Sequence, residues 1–597
     1  MKEIQTNCSF CSLACPVVLR GGQRGPLFGD GSILSLEWDT RDESKYNGSL
    51  CARGNATVEF LTHQKRLNYP FVLGERTTFK AAVGEAAKNL LAIKEESGGD
   101  SIGILLGDNL TNEEAALAVT FAREVLGTDN VALFAPDDAP VFRAYLGCNL
   151  SSLKSAGPKP PGDREVSLLI GDPMAEHPCV AKDILPSKYG TRGSEVIVVS
   201  PERNHSAWFA DRHLRCKPGG EAAVLLGLLK AAIKESGAKL TGELASLVYN
   251  GIDWNIIDRV GGINEDPIEG AAKSILGAVR VRIYMSNLFG RIGSPALASL
   301  FAEALARICP GESTFEPQFV QQNTWGIYSV LAGAGNRKVL EKLDSAEIKA
   351  LILLGLDLFS VYPAAPVEKA LREKKFSVTT QFFWNQTASR ANVVLPAAAL
   401  IEKRGTVSPS FGEDLVREET ITPLGGTRTD EEFLIALAGE MGTELSPVTG
   451  VERRTEGRGS CEGIKEEWDA YAETAAVLDA AETVLIPWSE PVHVADGSLS
   501  RNFHWSEITC PEPKLMISND YADELKLNNG DRVAVSSEGG EVVLPVARTG
   551  KLSGKVVGAT IHFPSVRKLF PWRLDERYGE IELAPIPVQL GRQQEKA

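Results

Sequence analysis

The chain has 597 residues, 43% hydrophobic and 24% charged, which excludes a disordered or fibrous protein and is too long for one hydrophobic core. Its 63 basic and 78 acidic residues leave a formal charge of −15, which argues against nucleic acid or an anionic membrane as the main partner. No apolar run approaches the roughly 18 residues of a membrane span; ALILLGLDLF is far too short, so direct membrane insertion is not expected.

In chain order the first feature is NCSFCSLACPVVLR, followed by SLCARGN. Cys8, Cys11 and Cys15 form a C-x2-C-x3-C run, and Cys51 follows after 35 residues. A metal-type cysteine this early leaves no room for a secretory or twin-arginine leader. The expected compartment is therefore the cytoplasm, where structural disulfides are disfavoured. Three close thiolates and a distant fourth suit a [4Fe–4S] cluster. Zinc is the alternative, although it more often pairs two C-x2-4-C knuckles; idle thiols are the bland reading. Cys148, Cys179, Cys216, Cys309, Cys461 and Cys510 lack motif spacing and read as buried or unpaired thiols.

Residues 16–50 alternate apolar and Gly-rich pieces and predict short hairpins. FKAAVGEAAKNLLAIKEES has helical apolar spacing. SIGILLGDNLT, NVALF, VSLLIGD, SEVIVVS, VRIYMS, IKALILLG and FSVTTQFF are short Val/Ile/Leu-rich runs that predict strands alternating with helices, hence parallel sheets. Ligands of such sheets lie beyond the carboxyl ends of the strands, which selects the loops Gly171–His177, Ser200–His205 and Gly355–Tyr362. Residues 446–480 are polar and charged and read as a linker. The turn-rich alternation after them predicts a β-barrel-like terminal domain.

In this order and spacing the chain resembles the molybdopterin oxidoreductase superfamily, which includes formate dehydrogenases, nitrate reductases and the large iron–sulfur subunit of respiratory complex I. The resemblance rests on CSFCSLAC…LCARGN, KRLNYPF, LLIGDPMAEHP, VIVVSPERNHSAWFADRHLRCKPGGEAAVL, NVVLPAAALIEKRGT and NNGDRVAVSSEGG. It implies an α/β fold with a [4Fe–4S] domain at 1–66 and a discontinuous α/β domain at 67–128 and 336–445. A second α/β domain covers 129–335, 446–480 is the linker, and 481–597 form the β-barrel-like domain. It further implies a molybdopterin guanine dinucleotide cofactor carrying molybdenum or tungsten, with one dinucleotide on each α/β domain. The candidate cofactor residues are Arg53, Gly171, Asp172, Glu176, His177, Ser200, Asp211, Gly219, Glu221, Gly355 and Asp357. Arg53 stands where the family places a Lys or Arg between cluster and pterin.

The chain departs from the catalytic pattern in two places. Formate-dehydrogenase-like relatives carry a Cys-His pair that supplies the metal ligand; here the stretch is TDNVALFAPDDAPVFRAYLGCN. Asp138 is the candidate ligand, with Asp137, Cys148 or no protein ligand as alternatives. After the E-x-x-G-T turn an Arg-x-Q segment is expected, and TVSPSFGEDLVRE, with Ser410 and Glu413, stands in its place. The leading expectation is two-electron oxidoreduction of a small substrate, formate/CO2 first, with electrons passing through one cluster to iron–sulfur or flavin subunits. The rival is a non-catalytic electron-transfer scaffold similar to the complex I large subunit.

Overall fold

The computed structural model describes residues 2–592 apart from 22–32, 42, 44, 136, 137, 152, 156, 157, 288, 289, 335–342, 344, 362, 363, 411, 412, 419, 422, 424, 456–460, 572, 573, 576–579, 582 and 583. The amino-terminal strands Lys2–Asn7, Pro16–Gly21 and Ile33–Trp38 form an antiparallel sheet, and the first three cysteines occupy the turn between the first two strands.

Two sheets carry the middle of the chain. A five-stranded sheet is parallel throughout, in the order Arg212–Arg215, Glu195–Ser200, Glu165–Ile170, Arg280–Met285, Glu312–Pro317. A seven-stranded sheet runs Glu75–Arg76, Phe71–Val72, Val393–Pro396, Phe376–Gln381, Ala350–Leu354, Ile102–Leu106, Val131–Leu133, with its last five strands parallel. Their sequences are near-continuous apolar runs because helices cover both faces: all five residues of Ile102–Leu106 and of Ala350–Leu354 are buried.

The helix Phe79–Ser97 shows how local sequence sets these layers. Thr78 Oγ1 caps it by accepting from Ala81 N at 3.3 Å. Ala82, Val83, Ala86, Ala87, Leu90 and Ile93 then recur every three or four residues and are the buried ones. Gly98, at a φ of 80°, ends it. Deleting one large member of that stripe, Leu90→Ala, would cost about 2–5 kcal/mol.

Two findings differ from the sequence reading. Val131–Leu133, numbered within the 129–335 segment, is the edge strand of the seven-stranded sheet. The stretch expected as a linker contains the helix Ile464–Ala480, whose buried Ile464, Trp468, Tyr471 and Leu478 are diluted by charged neighbours. The carboxyl-terminal strands close into a six-stranded barrel in the order Thr483–Trp488, Val556–Thr560, Leu515–Ser518, Gly540–Thr549, Arg532–Ser537, Ile586–Arg592. Among the described residues no helix is long and apolar enough to cross a membrane.

Candidate functional site

The loop bearing the first three cysteines folds on itself: Cys8 N donates to Cys15 O at 2.8 Å and Ala14 N to Cys11 O at 3.1 Å. Cys8 and Cys15 are buried, Cys11 and Cys51 half-buried. Burial, then the Cys51 and Cys11 thiols, push the Cys8 thiol well up. Burial raises Cys11 to about 11 against the pull of Arg53. The four thiols lie near enough to perturb one another. Cys179 lies among them, close enough to perturb Cys15 and Cys51. It was expected to be a buried or unpaired thiol and is free and half-buried; the turn Pro178–Val180 brings it here from far beyond Cys51 in sequence. Cys148 and Cys461, also expected to be unpaired, form a disulfide across 313 residues. That pairing is invisible to spacing because neither lies near another cysteine in sequence. Among the described residues no group of three or more His, Cys, Asp or Glu side chains is preset to hold a metal ion.

Arg53, on the helix Ala52–Asn55 after Cys51, ties three regions together. Its guanidinium donates to His493 O at 3.0 Å and to Glu176 O, joining the cysteine pocket to a barrel-domain loop and to the end of the five-stranded sheet.

At the carboxyl end of that sheet most candidates meet. Gly171, at a φ of 79°, must be glycine, because a Cβ there would lie 2.3 Å from Ser286 O. Asp172 accepts from Ser206 N at 2.9 Å, Ser206 Oγ at 2.8 Å and His205 N at 3.2 Å, so it caps the next loop. Burial raises its pKa, but His205 and Arg291 outweigh this and hold it low. Glu176 is bound by buried Arg291 at 3.0 Å, which also pairs with Glu202 and donates to Ser489 Oγ at 3.0 Å. Ser200 Oγ donates to Glu202 O at 2.8 Å. His177 Nε2 donates to Phe319 O at 2.9 Å, which fixes the tautomer, while its buried Nδ1 has no partner. Burial drops this histidine to about 3. Gly219 turns the chain into the helix Glu221–Ser236 with a φ of 77°. Both carboxylate oxygens of Glu221 are buried without a hydrogen-bond partner, and burial raises it to about 8 although backbone amides lie near. Asp211 is not brought here. It binds Lys188 at 2.6 Å and Val196 N at 2.8 Å, at the amino end of its strand.

The seven-stranded sheet ends in a cavity of about 330 Å³. Gly355 lines it at a φ of 60°, and Gly107 packs so closely that a Cβ would lie 2.3 Å from Gly355 O. Four carboxylates face it: Asp108, Asp138, Asp357 and Asp496, with Arg501 beside them. Asp138 is buried at the N-cap position of the helix Ala139–Gly147 without a side-chain capping bond; its Oδ2 accepts from Val320 N at 3.1 Å. Burial raises Asp138 to about 8, against its bonds to Val320 and Thr324, and Asp108 adds to the rise. Burial and Asp496 raise Asp108 to about 7. Asp357 is raised by burial and steadied by Thr387 Oγ1 at 2.6 Å and Ser360 Oγ at 2.7 Å. Asp137 lies outside the described residues. Cys148 lines a different cavity. Ser410 ends the strand Gly405–Ser410.

Ser9 and Phe10, between Cys8 and Cys11, form part of the cavity wall. Residues 1–63 match the molybdopterin oxidoreductase Fe4S4 domain, residues 66–440 the molybdopterin oxidoreductase model, and residues 485–584 the molybdopterin dinucleotide binding domain. The chain belongs to the molybdopterin oxidoreductase family. It is 25% identical to the oxidoreductase YjgC of Bacillus subtilis over 93% of this chain, and spans 65% of that protein's length. It is 24% identical to the F420-dependent formate dehydrogenase subunit alpha of Methanocaldococcus jannaschii over 99% of both. The fold matches acetylene hydratase from Pelobacter acetylenicus with a TM-score of 0.73 at 16% identity, covering 99% of this chain and 100% of that one.

The family's two domains imply a [4Fe–4S] cluster and a pterin dinucleotide, and the residues fit both. Four neighbouring thiols supply an all-sulfur donor set, which a cubane spreads over four irons rather than gathering on one ion. For the pterin group, buried atoms await partners: His177 Nδ1, His493 Nε2 and both oxygens of Glu221. Sequence reading missed Arg291, Glu202, His493 and Arg501. Glu202 lay within the selected loop Ser200–His205, and Asp108, also not singled out, carried the Gly-Asp step that ends a predicted strand.

Proposed function

We propose that the chain is the cluster- and pterin-bearing subunit of a redox complex that oxidises or reduces a small substrate by two electrons. Formate/CO2 is the first pairing to test, supported by likeness to a formate dehydrogenase subunit alpha over nearly the whole length. The observation that carries the reading is the shared wall. The loop between Cys8 and Cys11 lines the same cavity as Asp138, so a cluster on Cys8, Cys11, Cys15 and Cys51 adjoins the space where substrate chemistry would occur.

A molybdenum or tungsten pterin group, when bound, supplies the two-electron exchange with substrate. The chain's own residues do the placing. Gly171, Glu176, His177, Gly219 and Glu221 form one dinucleotide site at the five-stranded sheet, and Gly355 with Asp357 begins the other. Asp138 is the oxygen donor facing the cavity, whereas Cys148 is bonded to Cys461 and faces elsewhere. A single cluster passes electrons one at a time, which calls for iron–sulfur or flavin partner subunits; the relative's description as a subunit alpha supports them.

One observation favours the scaffold reading: Asp138 Oδ2 already accepts a hydrogen bond from Val320 N, so one of its oxygens is engaged without a metal. Anaerobically purified, metal-loaded protein should reduce a viologen dye with formate and lose that activity in Asp138→Ala. Dye reduction absent from loaded protein would sink the formate reading.

A further inference from the structure

Several buried cations of this chain are matched by carboxylates: Arg66 by Glu402, Arg291 by Glu176 and Glu202, Lys403 by Glu114 and Asp430. Arg417 is different. It ends the strand Glu413–Arg417 and is only 4% exposed. Its contacts are neutral: it donates to Gln322 Oε1 at 2.5 Å and, at the long limit, to Leu400 O at 3.4 Å, while Nε has no partner. A guanidinium stays protonated in proteins, and a buried charge without a counter-charge costs several kcal/mol. The surroundings must therefore supply a negative group.

Gln322 shows where. Its amide accepts from Arg417 and, through Nε2, donates to Cys8 O at 2.9 Å, so one side chain links the guanidinium to the first cysteine of the pocket. Arg53 stands two residues after Cys51, and like Arg417 it donates to carbonyl oxygens. Two buried cations thus adjoin the cysteine pocket, Arg417 through Gln322 and Cys8 and Arg53 through the helix that follows Cys51.

We propose that Arg417 is a positioning residue for the cluster: seated through Gln322 on the Cys8 side, it supplies the second of two buried positive charges that raise the cluster's reduction potential. This rests on the [4Fe–4S] reading. Reduction adds one negative charge to the cluster, and a nearby fixed cation stabilises the reduced form more than the oxidised one.

The test compares full-length wild type, Arg417→Gln and Arg417→Lys, purified anaerobically. Iron and guanine nucleotide are assayed, and the cluster is titrated by EPR. Arg417→Gln is expected to keep its iron and titrate at a clearly more negative potential, with Arg417→Lys close to wild type. A wild-type potential in Arg417→Gln overturns the proposal. So does loss of guanine nucleotide with an unchanged potential, which would place the counter-charge on the dinucleotide. Should Arg417→Gln fail to hold iron, Gln322→Glu neutralises the cation in place. It must also shift the potential down, and a wild-type value there overturns the proposal. Wild type without iron would instead sink the cluster reading.

Discussion

The two parallel sheets are built by the same β-α alternation, yet their carboxyl ends have opposite electrostatics. At the five-stranded sheet, buried Arg291 neutralises Glu176 and Glu202, and Asp172 is spent capping a loop. At the seven-stranded sheet, four aspartates look into one cavity with Arg501 beside them, and Asp138 and Asp108 are raised to about 8 and about 7. The first end is largely prearranged; the second holds unfavourable charge that a ligand or proton can relieve. Strand chemistry makes both sheets, and the loop residues decide what each can do.

The sharpest way to break this contrast is Arg291→Met, which leaves the buried Glu176 and Glu202 carboxylates without their cation. It should cost about 3–5 kcal/mol, read as a lowered unfolding midpoint. Adding Glu176→Gln and Glu202→Gln should recover most of the loss. On the other sheet Asp138→Asn should leave folding intact while lowering activity by about 100-fold. Equal loss of stability in the two variants would erase the distinction.

A smaller effect sharpens it within the five-stranded end, where both carboxylate oxygens of Glu221 are unsatisfied. Its folded pKa of about 8 lies above the ordinary value for a free glutamate, near 4.3. Between those values the folded chain keeps a proton that the unfolded chain has released. In nucleotide-free protein this group therefore lowers stability as pH rises from about 4 to about 8, and no further above that. Glu221→Gln should flatten that slope and gain roughly 1–3 kcal/mol at pH 8. A thermal midpoint measured against pH checks it, and an unchanged slope would show that Glu221 finds partners.

Much of this was legible from sequence because strands buried on both faces write themselves as apolar runs. The helix Phe79–Ser97 and the strand Ile102–Leu106 are plain in FKAAVGEAAKNLLAIKEES and SIGILL. The cysteine spacing was legible too, since a short loop must present three thiols at once. Tertiary pairings were hidden. Nothing near Arg291 announces Glu176 or Glu202, and nothing near Cys179 announces Cys15. Asp211 misled for a related reason: an acid in a family-like stretch can serve either end of a strand, and here Lys188 and Val196 hold it at the amino end. The helix Ile464–Ala480 was masked by its charged exposed face.

The most direct test of the account is the content of the anaerobically purified chain: iron, molybdenum, tungsten and released guanine nucleotide per polypeptide. The account predicts about four irons together with molybdenum or tungsten and guanine nucleotide. Iron alone, from a fully matured sample, would contradict it and leave an electron-transfer subunit in a catalytic family's fold.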